Sequence, residues 1–69
     1  LIALSTNDAL SASAPSIAAL MSRKNIYFVP FYQDDAQGKP SSLVADFNKL
    51  TSAIRASVAG QQLQPIICG

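Results

Sequence analysis

Apolar residues in this chain fall either into short unbroken runs or into spaced series, and the two patterns predict different elements. Leu1-Ile2-Ala3-Leu4 is a continuous run that reads as the end of a buried strand. The short polar side chains of Ser5-Thr6-Asn7-Asp8 then compete for backbone hydrogen bonds and favour a turn. After the turn the period changes. Ser13 is an N-cap candidate with Pro15 in the first turn, and Ile17, Leu20 and Met21 recur at helical spacing, with Arg23-Lys24 placed to complement the carbonyl end. A helix is expected from about Pro15 to Ser22.

The run Lys24-Asn25-Ile26-Tyr27-Phe28-Val29-Pro30-Phe31 predicts a second strand, Ile26 to about Phe31, apolar enough to be covered on both faces, with Pro30 limiting its ladder. Strand, helix and strand in this order predict a right-handed parallel crossover and therefore an α/β fold. The polar loop Tyr32 to Pro40 then lies at a strand's carboxyl end, the rim where open α/β sheets bind ligands, which makes Gln33, Asp34, Asp35 and Lys39 site candidates. From Pro40-Ser41-Ser42 a longer helix is expected, with Leu43, Phe47, Leu50, Ile54 and Val58 at spacings of three and four and Gly60 as a left-handed cap. The tail, Gln61 to Gly69, offers Ile66-Ile67-Cys68 as an edge strand or a contact with a neighbouring protomer.

Composition narrows the class. The 69 residues make at most one small domain, and chains of roughly 60 residues bury only about 60% of their unfolded surface. Cys68 is the single cysteine, so no internal disulfide is available, and without His or Glu there is no Cys/His metal cluster. A hydrophobic content of 49% and a start inside an apolar run read as a fragment that leaves apolar surface for upstream strands or neighbouring protomers. The formal charge of +1 comes from scattered residues and leaves no nucleic-acid footprint. Leu1 to Leu4 is too short to span a bilayer, no secretory signal is present, and a cytoplasmic location is expected.

Each candidate side chain has a plain alternative. Asn7 presents one acceptor and two donors, suited to a ligand's carboxylate or ring edge, or simply forms a turn. Asp8 suits a turn or helix start. Lys39 is the best partner for an anionic dicarboxylate, or a solvated lysine; Asp34 and Asp35 act as bases or orient Lys39, or are solvated. Tyr27 is expected to pack in the strand, Tyr32 to stack near an aromatic ligand at the rim, and Cys68 to behave as a small hydrophobe.

Three segments carry a family resemblance: Ser5-Thr6-Asn7-Asp8-Ala9-Leu10, Lys24 to Phe31, and Lys39-Pro40-Ser41-Ser42-Leu43-Val44-Ala45-Asp46-Phe47. Together they resemble the C-terminal part of the dipicolinate synthase B-subunit family, sporulation flavoproteins related to the flavin-dependent cysteine decarboxylases. The resemblance implies that residues 1–69 are the C-terminal portion of a Rossmann-like flavoprotein domain with parallel strands and flanking helices, its phosphate-binding half lying upstream. FMN is the implied cofactor, held between protomers, and residues 1–69 alone would be inactive. The implied function is formation of pyridine-2,6-dicarboxylate from a dihydrodipicolinate-type precursor, in the mother cell, as a homo-oligomer working with the synthase's A-subunit. That partner resembles a nicotinamide-dinucleotide-binding protein and is the expected place of any NADP. Of the decarboxylases' motif Pro-x-Met-Asn-x-x-Met-Trp only Asn7 is kept, Leu4, Thr6, Leu10 and Ser11 standing at its other positions. Residues 32–42 lack the decarboxylases' flap cysteine, which counts against the alternative of a decarboxylase relative. A non-catalytic α/β interaction module is the third reading. The cofactor- or substrate-binding set is therefore Asn7, Gln33, Asp34 and Lys39, with no catalytic base assigned.

Overall fold

The computed structural model describes residues 1–68. Its elements are β1 (Ser5–Thr6), α1 (Ala14–Met21), β2 (Phe31–Tyr32), β3 (Leu43–Ala45), a 3-10 turn (Phe47–Lys49) and α2 (Leu50–Val58). The three strands form one sheet in the order β1-β3-β2, antiparallel throughout, with Thr6 opposite Leu43 and Phe31 opposite Ala45.

The α/β class stands, but the expected parallel sheet is corrected. Among the described residues, parallel pairing is confined to single-residue bridges, Ile2 with Phe28 and Phe31 with Ile67. At the first, the Ile2 amide donates to the Tyr27 carbonyl at 2.7 Å and the Val29 amide to the Ile2 carbonyl at 2.9 Å. The first and second apolar runs thus lie side by side in the expected direction, joined through α1, without growing into a longer ladder. The second bridge brings Ile67 beside Phe31, as an edge strand would.

Residues 43–45 are a second correction. The apolar spacing predicts a helix from Ser41, yet β3 occupies its first turn and α2 starts only at Leu50. Leu43 and Ala45 are buried with Val44 between them half-exposed, a period of two that outweighs the helical spacing because β3 is the central strand with partners on both sides. Asp46 then ends the strand with extended backbone and accepts the Asn48 amide at 3.1 Å, which starts the helical phase afresh. Phe47 consequently points away from the core, 62% exposed, and Ile54 and Val58 are exposed as well. Gly60, at φ +75°, caps α2 as expected: the Gln61 amide donates to Ala56 and the Gly60 amide to Ser57, the two bonds of a Schellman motif.

The core sits on both sides of residues 28–31, as their unbroken apolar run requires. Phe28 and Phe31 pack with Ala9, Leu43 and Ile17 of α1, while Val29 packs with Ala45 and Ala53 of α2. In an uninterrupted strand positions 28 and 31 would face opposite sides. Pro30 breaks that alternation, and the two rings meet with centroids 5.6 Å apart at 47°. α1 begins with Pro15 in its first turn, but of its apolar stripe only Ile17 is buried, and Leu20 and Met21 stay partly exposed. Ser13 occupies the N-cap position without capping; its hydroxyl is taken by Asp8.

Candidate ligand-binding cleft

Two loops meet at the carboxyl ends of β1 and β2. The first, following Thr6, is tied by Asp8: Thr6 Oγ1 donates to Asp8 Oδ1 at 2.6 Å and Ser13 Oγ to the same oxygen at 2.9 Å. These two hydroxyls hold the Asp8 carboxyl below its ordinary range, Thr6 contributing most. The second loop is tied by Asp35, whose Oδ1 accepts the Gly38 amide at 2.9 Å and whose carbonyl accepts the Lys39 amide at 2.7 Å. A Cβ at Gly38 would collide with the Asp35 carboxylate. The Leu10 amide donates to the Ser41 carbonyl at 2.9 Å, which joins the two loops.

Beside this junction opens a cleft of about 770 Å³, within the roughly 300–1,000 Å³ usual for small-molecule sites. Leu10 and Leu43 line it from the first loop and β3, Tyr32 and Gln33 from the end of β2, and Ile67 and Cys68 from the tail. Asp46 adds a carboxylate to the lining. The walls are mostly apolar, with few polar groups to orient a guest.

Of the four candidates, the structure places only Gln33 on this cleft, and its Nε2 donates to the Pro40 carbonyl at 2.8 Å, closing the loop at its base. Asp34 Oδ1 accepts the Ser42 hydroxyl at 3.4 Å, a loop-forming contact. Lys39 and Asn7 are exposed and outside the cleft lining. Asp35 organises the loop and lies outside the cleft lining, and Tyr32 lines the cleft. Among the described residues no group of three His, Cys, Asp or Glu is placed to hold a metal. No helix among them is long and apolar enough to cross a membrane.

Sequence reasoning missed Gln62. Its Oε1 accepts the Phe28 amide and its Nε2 donates to the Phe28 carbonyl, both at 2.7 Å, so one side chain stands in for a neighbouring strand. The only signal was positional: a planar amide just after a helix cap, near a strand whose interior hydrogen bonds had no assigned partner.

No protein-family model matches the chain. Among curated proteins, the dipicolinate synthase B-subunit of Bacillus subtilis (strain 168) is 47% identical over 66 residues, 96% of this chain and 33% of that protein. Among solved structures, the crystal structure of the dipicolinate synthase B-subunit from Bacillus halodurans C is 49% identical with a TM-score of 0.93, over 97% of this chain and 34% of that one. The chain therefore spans about a third of the length of these relatives, their C-terminal third.

Proposed function

We propose that this chain is the C-terminal third of a dipicolinate synthase B-subunit, serving in the formation of pyridine-2,6-dicarboxylate from a dihydrodipicolinate-type precursor during sporulation. Identity of 47–49% across nearly all of the chain carries the reading. The full protein works with the synthase's A-subunit, as an oligomer of its own, and binds FMN. The net conversion removes two hydrogens to make the ring aromatic, and FMN, when bound, supplies hydride acceptance.

The residues present fit the ring of such a group and not its phosphate. Leu10, Tyr32, Leu43 and Ile67 offer apolar and aromatic walls to a planar heterocycle, and the Gln33 amide adds a polar edge. Among the described residues no Lys or Arg lines the cleft, so its lining offers the phosphate no cationic partner. Lys39, on the second loop that flanks the cleft, is assigned to the substrate's carboxylates, Asn7, on the first, to the flavin edge or those carboxylates, and Asp34 to keeping the second loop in place.

The test uses the full-length protein. Flavin absorbance and dipicolinate formation with the A-subunit are expected, and a colourless preparation that forms none rejects the reading. Asn7→Ala should lower flavin retention or turnover by roughly 2- to 10-fold, one hydrogen bond's worth, with unchanged melting. Normal turnover and flavin content in that variant would leave Asn7 only its turn.

A further inference from the structure

The cleft has a wall that neither loop supplies. Ile67 and Cys68 belong to the tail, and the tail is fastened to residues 28–31 at two places. At Phe31, the amide donates to the Ile66 carbonyl at 2.7 Å and the carbonyl accepts the Cys68 amide at 2.7 Å. At Phe28, both main-chain groups are taken by the Gln62 side chain, whose Nε2 also reaches the Leu63 carbonyl at 3.1 Å. Between these points Gln64 Oε1 accepts the Ile66 amide at 3.0 Å, which fixes the intervening turn. The Schellman cap at Gly60 and Gln61 sets where Gln62 emerges from α2.

We infer that Gln62 is a positioning residue for the ligand cleft: by pinning the tail to Phe28 it sets the register in which Ile67 and Cys68 close the cleft beside Tyr32 and Gln33. Geometry favours this assignment over general stabilisation. A side-chain amide satisfies one donor and one acceptor at once without adding a strand, so the edge at Phe28 is closed to further pairing and the main chain of the tail is released to pair at Phe31 instead. The two main-chain bonds at Phe31 can be made by any pair of tail residues two apart, so they do not choose the register, and a slip of one exchanges which side chains face the cleft. The substrate arm of the test below rests on the function proposed above; the thiol arm does not.

The experiment compares full-length wild type with Gln62→Leu, which keeps the bulk and removes all three side-chain hydrogen bonds, and with Gln62→Glu, which keeps the acceptor and loses the donor. Labelling of Cys68 by a thiol reagent, followed by peptide mass spectrometry, reads the tail directly. Gln62→Leu should speed labelling on the order of tenfold, with Gln62→Glu intermediate. In dipicolinate formation with the A-subunit, KM should rise by a similar factor while kcat is retained. Unchanged labelling and unchanged KM, with only a lowered melting temperature, overturns the inference, as does faster labelling with KM unchanged. Should Gln62→Leu fail to fold, Gln62→Glu decides by the same criteria. If the wild type forms no dipicolinate, the proposed function falls, and the labelling rates alone decide whether Gln62 holds the tail.

Discussion

Asp8 shows what a single carboxylate does in a short polar loop. Its hydrogen bonds to Thr6 and Ser13 favour the charged form, so its pKa is lowered in the folded chain. A lowered carboxyl pKa contributes stability above the unfolded value of about 4 and loses it as pH falls through the folded value. The melting-temperature gap between wild type and Asp8→Asn should therefore be constant near neutrality and shrink on acidification below about pH 4; a gap independent of pH would assign the effect to shape and not to charge. Phe28 and Phe47 make the opposite comparison, the same ring in two surroundings. Phe28→Ala empties a fully buried site and should cost roughly 3–5 kcal/mol, whereas Phe47→Ala, in this chain, should stay within about 0.5 kcal/mol by denaturant titration.

At the scale of elements, α2 depends on how it ends. Gly60 holds a positive φ that an L side chain adopts at a cost of about 1–2 kcal/mol, so Gly60→Ala should lower stability by about that amount. Space is not the obstacle, since the nearest atom to an added Cβ is the Tyr27 hydroxyl at 3.8 Å. A loss no larger than that of a surface substitution would show that the cap is dispensable. This cap was legible in the sequence, as were α1, the buried run at 28–31 and the position of the second loop, because Gly, Pro and four consecutive apolar residues each have few structural uses. β3 was not. Leu43 and Phe47 fit a helical stripe as well as Leu43 and Ala45 fit a strand, and only the presence of β1 and β2 on either side decides between them. The site was legible to the extent that a loop's place on the rim predicts exposure, which found Gln33 and Tyr32. It missed Gln62 and the tail's place in the cleft wall because contacts made across the fold leave no local periodicity.

For the whole molecule, the exposed apolar side chains set the expectation. Leu10, Phe47, Ile54 and Val58 are each about half exposed or more, Val58 reaching 85%. A small domain with little buried area has few means to offset that surface. Produced alone, these residues should self-associate in sedimentation, and a cooperative monomer of 7.3 kDa would contradict this. The residues 28–31 also carry a kinetic consequence. Their main-chain groups are bonded by Ile2, by Asp46 after β3, and by Gln62, Ile66 and Cys68, the Gln62 contacts reaching across 34 residues. Closing such loops costs entropy before any contact forms, so the helices and the tied turns can assemble while the central segment still waits for Ile2 and for residues 62–68. The most buried segment is then the last to acquire its full set of partners, and during synthesis the main-chain groups of Phe28 and Phe31 stay unpaired until residues 62–68 have emerged.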